Sequence, residues 1–441
     1  MSNVLVVGDG PAAQRLVDRL RHHGFDGAVT VLGAGPATVV TSVDRARRRV
    51  LAQVNGAPAT YSYDALVLAV EARPLIPGIP GLVDSAGRLT DGVVAPGPAS
   101  GTPPVTGESA AVLGEGPLAV ETAASLAARG VDATLVCATP HPLYTRLGET
   151  CSGMLSERLE RAGVTVLGGR TAVGRLPGRL RLDDGTTLRA ETVVLCAGTA
   201  PDTRLARACG LDVRVGTVVD DRLRTSDPHV HAIGDSTAHD GRLADGPQVA
   251  WEQAEALAEI LAGHAVTYRP RPSALRLRTD VADVAAIGSP ADLHRPGTRQ
   301  IGLTDRANRR YVRLALRDER VVAAVLFGLP QAIATIGFLH RRGQRLPSDR
   351  LGLLLDLPAG PASGSAAGGG NAPVCLCGNV SEQTLLAAWR AGSRTVTELA
   401  KTTRATTGCG GCTGPVEELC RVWARASRQE REKEREREKA S

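Results

Sequence analysis

Two copies of one short pattern, about a hundred residues apart, constrain this chain more than any other feature in it. The first is Val4-Leu-Val-Val-Gly-Asp-Gly-Pro-Ala-Ala13, and the second is Ala110-Ala-Val-Leu-Gly-Glu-Gly-Pro-Leu-Ala119. Each is a short apolar run followed by G-x-G-x-x-A and a helical run, from Pro11 to His23 in the first copy and ending at Arg129 in the second. A glycine and a further β segment follow each time, Ala28 to Leu32 and Ala133 to Val136, so each copy opens a strand–helix–strand unit with parallel strands. Gly8 and Gly114 supply the tight turn, Gly10 and Gly116 let the backbone approach a pyrophosphate, and Ala13 and Ala119 keep the helix close to the sheet. The phosphates would lie at a helix N-terminus, where free N–H groups and the helix dipole favour an anion. A single copy is weak evidence, because tight helix–strand packing alone can produce it. Two copies in the same context predict paired dinucleotide-binding units.

Further on, Thr225-Ser-Asp-Pro-His-Val-His-Ala-Ile-Gly-Asp235 reads as a turn, a short strand and a terminal Gly-Asp. A carboxylate at the mouth of a strand accepts hydrogen bonds from a polyol, which makes Asp235 a candidate cofactor contact. From 263 to 357 strands alternate with a helix, as in Tyr311-Val-Arg-Leu-Ala-Leu and Gln331 to His340, without a chemistry-bearing motif. Residues 358–373, rich in Gly, Ala, Ser and Pro, have the composition of a flexible linker.

Beyond that linker Cys375 and Cys377 form a C-x-C, and Cys409 and Cys412 a C-x-x-C inside Thr407-Gly-Cys-Gly-Gly-Cys-Thr-Gly-Pro-Val-Glu-Glu. The glycines let backbone wrap a metal centre, and Pro415 suits the first turn of a following helix. Four thiolates suit a [2Fe–2S] cluster or a structural zinc ion. A one-residue C-x-C loop fits poorly to the zinc knuckle spacing. Ser381 is placed to cap a helix that stops at Gly392, and Thr395-Val-Thr-Glu398 is a capping box for a second helix. Cys137, Cys151, Cys196, Cys209 and Cys420 lie in apolar or helical contexts and read as packing residues. The mixed-charge tail, 426–441, carries no assigned role.

Composition excludes some partners. A net charge of +6 and a pI near 9.0 coexist with 2% aromatic residues and basic groups spread along the chain, which is no nucleic-acid footprint. No apolar run approaches the roughly 18 residues of a membrane span. The opening residues enter a strand at once with no targeting segment, so a cytoplasmic protein with no membrane partner is expected. Free thiols agree with that compartment.

The two G-x-G-x-x-A units, the segment from Thr225 to Asp235 and the C-x-C…C-x-x-C module together resemble the flavin part of bacterial assimilatory NAD(P)H nitrite reductase large subunits. They also resemble the related electron-transfer subunit of assimilatory nitrate reductase. Cys375-Leu-Cys-Gly-Asn-Val-Ser-Glu and Thr407 to Leu419 are similar to the bacterioferritin-associated-ferredoxin-type [2Fe–2S] domain of those proteins. The resemblance implies an α/β fold: two Rossmann-like FAD/NAD(P)-binding units, a small α+β domain and a tethered α-helical [2Fe–2S] domain. The domain bounds expected are 1–105 with 200–262 for a shortened FAD-binding type, 106–199 for NAD(P), 263–357 for the α+β domain and 374–425 for the cluster.

By the same resemblance Gly8, Gly10, Ala13 and Asp235 would hold FAD, Gly114, Gly116 and Ala119 would hold NAD(P)H, and the four cysteines the cluster. Electrons would pass from nicotinamide to flavin, to [2Fe–2S], and on to a protein acceptor such as the catalytic subunit of a nitrate reductase. No side chain is assigned as an acid or base. The sirohaem domain of a complete nitrite reductase is not represented in the chain.

The chain departs from the pattern in four places. Val31-Leu-Gly-Ala-Gly-Pro36 lacks the acidic residue expected for the adenosine ribose. A segment of roughly forty residues is expected after Thr38, where this chain leads almost directly to a strand from Arg47 to Asn55. Val70-Glu71 stands where the family has Thr-Gly, whereas the second unit keeps Ala197-Gly198. Val136-Cys137-Ala-Thr139 offers no carboxylate for the second ribose. These departures motivate an alternative, a degenerate reductase scaffold serving as a [2Fe–2S] relay or redox sensor without flavin. A flavoprotein subunit of an amine or opine dehydrogenase is a third reading, with a different context expected at its second cysteine pair.

Overall fold

The computed structural model describes residues 3–33, 38–97, 103–244, 246–270, 274–347, 350, 373–375, 380–403, 405–406 and 412–425. The chain divides into two compact units, one of residues 1–143 with 159–273 and one of residues 144–158 with 274–441.

The first unit is built on two parallel sheets. Strand β1 (Asn3–Val7) lies between β2 (Ala28–Leu32) and the strand Ala65–Leu68, with Val4 opposite both Val29 and Ala65. Flanked on both edges, β1 is apolar throughout, and Val4 to Val7 are all buried. Val230–Ala232 completes this four-stranded sheet beside Ala65–Leu68. Helix α1 (Pro11–His22) buries Ala12, Ala13, Leu16 and Leu20 on one face, ends with His23 as its C-cap, and packs on the helix Pro247–Leu261.

The second sheet repeats the plan. Ser109–Leu113 is wholly buried between Asp132–Cys137 and Thr192–Leu195, and Val164–Gly168 and Val93–Val94 form the edges. Helix α2 (Pro117–Ala128) covers it with Ala119, Val120, Ala123 and Leu126 buried. A two-stranded pairing of Arg73–Pro74 with Thr199–Ala200 joins the halves.

Where the sequence suggested one strand after Thr38, the structure has an antiparallel sheet of three, Thr38–Asp44, Arg49–Val54 and Ala57–Ser62. Only scattered side chains there, Val43, Val50 and Ala52, are buried, so the apolar pattern announcing the outer strands is weak.

The second unit holds a five-stranded antiparallel sheet in the order Ala274–Arg278, Asp283–Ile287, Arg320–Phe327, Arg310–Arg317, Arg299–Asp305. The helix Pro330–Arg342 closes its core with Ala332, Ile333 and Ile336. Residues 351–372, which include nearly all of the expected linker, lie outside the described residues, as does the tail from 426.

In the C-terminal module the helix Glu382–Arg390 is capped by Ser381, whose Oγ accepts the Thr384 N–H at 3.2 Å. The helix Val396–Thr403 starts with the anticipated capping box. The Glu398 N–H donates to Thr395 Oγ1 at 3.2 Å, and the Thr395 N–H donates to the Glu398 carboxylate at 3.0 Å. Among the described residues no helix is long and apolar enough to cross a membrane.

Candidate functional site

The glycine turns of the two parallel sheets have the same backbone geometry. The Gly8 N–H donates to the Leu32 carbonyl at 2.8 Å, and the Gly114 N–H to the Val136 carbonyl at 3.0 Å. Both glycines have positive φ, +113° and +147°. A Cβ on Gly8 would stand 2.7 Å from the Ala69 carbonyl carbon, and one on Gly114 would stand 2.7 Å from that of Cys196. Both positions therefore require glycine. Ala13 and Ala119 are buried in the helix–sheet seam.

The second glycines differ. Gly116 is the N-cap of α2, and a Cβ placed on it would find open space, so an anion can approach the helix N-terminus there. Gly10 is likewise the N-cap of α1, with no side-chain cap bond, but the Glu71 side chain lies over it. A Cβ on Gly10 would be 2.8 Å from Glu71 Cδ and 2.9 Å from Cγ. Burial raises the Glu71 carboxyl above its ordinary range, and the negative charges of Asp235 and Asp9 push it the same way. Asp235 follows Gly234, whose N–H donates to Gln253 Oε1 at 2.8 Å and on which a Cβ would lie 3.5 Å from Ala12 Cβ of α1. The strand Val230–Ala232 thus brings Asp235 near Glu71 and the N-terminus of α1, where the two carboxyl groups interact.

Two carboxylates unassigned from the sequence stand just beyond the C-terminal ends of the second strands. Asp9 extends over the end of β2, its Oδ2 2.7 Å from where a Cβ on Gly33 would lie. Glu115 accepts the Thr139 hydroxyl at 2.7 Å and the Thr139 N–H at 3.3 Å, beyond the strand Asp132–Cys137. Both are the second residue of G-x-G, and their shared acidity was the signal available in the sequence. Carboxylates reach the C-terminal ends of both second strands although neither strand carries one at that end.

In the C-terminal module Cys375 and Cys412 are buried in one small core with Val380, Leu385, Trp389, Leu399 and Val416. Cys375 sits on a strand paired with Val380–Ser381, and Cys412 immediately precedes a helix over 413–425. The Thr406 N–H donates to Cys412 Sγ at 3.1 Å, a bond that stabilises thiolate charge. Cys377 and Cys409 lie outside the described residues. The soft donors present fit an iron–sulfur cluster and zinc alike.

The other cysteines are packing residues by their surroundings. Cys137, Cys151 and Cys196 are buried, and burial raises the thiols of Cys137 and Cys196 to about 11 and that of Cys151 further still. Among the described residues His23, Glu255 and Glu259 also converge as metal-type ligands. Arg19 at 2.6 Å and Arg15 at 3.3 Å pair with Glu255, so this group ties α1 to the helix Pro247–Leu261.

The fit to cofactors differs between the sites. The second dinucleotide cradle is open and fits a nicotinamide dinucleotide. The first has the same turn and helix terminus, but the Glu71 side chain lies over Gly10, so an FAD pyrophosphate fits there only with that side chain moved aside.

A family model described as pyridine nucleotide-disulphide oxidoreductase matches residues 35–256, and one described as BFD-like [2Fe-2S] binding domain matches residues 373–421. The second match decides for a [2Fe–2S] cluster where the donors alone left zinc open. The chain is 29% identical to nitrite reductase [NAD(P)H] of Bacillus subtilis (strain 168) over 399 residues, 87% of this chain and 46% of that protein. It is 27% identical to the assimilatory nitrate reductase electron transfer subunit of the same organism over 370 residues, 82% and 47% of the two chains. The chain therefore spans about half the length of these curated relatives. A FAD-dependent pyridine nucleotide-disulphide oxidoreductase from Desulfovibrio vulgaris has a similar fold, with a TM-score of 0.66 and 23% identity over 80% of this chain and 95% of that one.

Proposed function

The chain belongs to the pyridine nucleotide-disulphide oxidoreductase family and is an NAD(P)H-dependent oxidoreductase with a [2Fe–2S] domain, and from that premise we propose that it feeds single electrons to a nitrate- or nitrite-assimilating enzyme. FAD, NAD(P)H and the [2Fe–2S] cluster are the cofactors of this architecture. Flavin accepts two electrons as hydride and can release them singly, which a one-electron cluster requires.

One observation carries the reading. A single chain holds both an open dinucleotide cradle, at Gly114, Gly116 and Ala119, and a cysteine pair, Cys375 and Cys412, in the core of a cluster domain. At the cradle the α2 N-terminus would bind the NAD(P)H pyrophosphate, and Glu115, beyond the second strand, is placed to receive a ribose diol. Cys375, Cys377, Cys409 and Cys412 would ligate the cluster, with the Thr406 N–H offsetting charge on Cys412. The acceptor proposed is the catalytic subunit of a nitrate reductase, by likeness to the electron-transfer subunit relative. A cytoplasmic location belongs to the same reading, since NAD(P)H is available there and thiols remain free to bind metal.

The test is an anaerobic absorption spectrum of the full chain reconstituted with FAD, followed by NADH or NADPH. Flavin bands that bleach, with cluster absorbance falling after them, are the expected result. A cluster that neither nucleotide reduces would remove the reading. The alternative of a [2Fe–2S] relay without flavin is favoured by the Glu71 carboxylate over Gly10.

A further inference from the structure

We propose that Glu71 is an internal competitor for the first dinucleotide site, holding the place of the cofactor pyrophosphate so that FAD binds only when this side chain is displaced. The inference rests on the reading of that site as the flavin site.

The two copies of the turn within this one chain supply the comparison. After the strand Ala65–Leu68 the Ala69 carbonyl packs on Gly8, and after the strand Thr192–Leu195 the Cys196 carbonyl packs on Gly114. Two residues beyond each of these carbonyls stand Glu71 and Gly198. Gly198 has φ +99° and nothing within 4 Å of a Cβ placed on it, and the space above Gly116 is open. In the first copy the corresponding position carries a side chain, and that side chain ends on the bare Cα of Gly10.

The helix terminus favours an acidic group at this place, whereas burial and the neighbouring Asp235 and Asp9 oppose its charge. The N-cap of α1 is a glycine with no side-chain cap bond, and the first turn carries no acidic residue. Its free N–H groups and dipole favour a nearby anion, and the Glu71 carboxylate is one already tethered to the sheet. An incoming pyrophosphate would displace it. With Glu71 still beside it, the diphosphate would also face Asp9 and Asp235, so charge as well as bulk opposes binding.

The experiment is a titration of the full-length, cluster-loaded, flavin-stripped protein with FAD, followed by quenching of flavin fluorescence. Wild type is compared with Glu71→Gly, which copies the second turn, and with Glu71→Gln, which keeps the bulk and removes the charge. NADPH and NADH binding and cluster absorbance monitor folding in each. The expected result is FAD binding about tenfold or more tighter in Glu71→Gly than in wild type, with Glu71→Gln between them and nucleotide binding unchanged. Wild type binding one FAD as tightly as Glu71→Gly would overturn the competition and leave the proposed function standing. Absence of FAD binding in all three proteins, with NAD(P)H binding intact, would overturn both the competition and the flavin part of that function.

Discussion

Glu71 and Gly198 hold equivalent places in two copies of one turn, and that single difference separates a closed cradle from an open one. A charge at a glycine position can be read from the sequence. Its destination cannot, because a glutamate side chain has three rotatable bonds and settles where the surrounding field is favourable. Nothing in the sequence marks out His231, since the alternation around it is that of an ordinary short strand. It is buried in Val230–Ala232, and desolvation lowers its pKa from 6.5 to about 4. Above about pH 6.5 it is neutral both folded and unfolded and leaves stability unchanged. As pH falls from there the unfolded chain gains a proton that the folded chain refuses. Stability should then drop by about 1.4 kcal/mol per pH unit until the folded pKa near 4 is reached. Urea unfolding midpoints at pH 7, 6 and 5 should fall in wild type, and the fall should be shallower in His231→Asn. Equal slopes in the two proteins would assign the pH dependence to other groups.

At the scale of elements, strand, turn and helix act as one device in each copy. The first glycine is set by contact with the neighbouring strand, and the second is left for the ligand. Replacing Gly114 with Ala should cost about 2 kcal/mol or more, because φ is +147° and the methyl would meet the Cys196 carbonyl. Gly116→Ala should fold with stability within about 0.5 kcal/mol of wild type, since nothing lies above it. It should nonetheless bind NADH and NADPH about tenfold more weakly, its methyl standing between the backbone and the pyrophosphate. Thermal melts and nucleotide titrations of the two variants separate these effects, and unchanged nucleotide affinity in Gly116→Ala would move the ligand elsewhere. These elements were legible because a buried parallel strand, a G-x-G turn and a proline-led helix each leave a local mark. The sheet from Thr38 to Ser62 was read only in its middle strand, because its outer strands bury little and alternate weakly.

At the scale of the whole molecule the proposed function requires entry and exit of electrons in separate domains of one chain. Cys375→Ser and Cys412→Ser should lose the visible absorbance of the cluster and abolish electron delivery to a nitrate reductase catalytic subunit. NAD(P)H binding at Gly114 and Gly116 should be retained in both. Delivery that survives loss of the cluster, followed by nitrite formation in the coupled assay, would show that electrons leave the flavin directly.

The two dinucleotide-type units, the caps of the helices near the C-terminus and the cysteine spacing of the cluster domain are all legible in residue order. These are short-range properties: turn glycines, capping side chains and apolar periodicity act over a few residues of chain. Packing fixes which carboxylates stand beside the two turns, that the Glu71 side chain lies over Gly10 and that the space above Gly116 stays open. Packing also brings Cys375 and Cys412, far apart in sequence, into one small core. Those outcomes depend on groups brought together by packing across the sheets and on the field they create there, which no local pattern encodes.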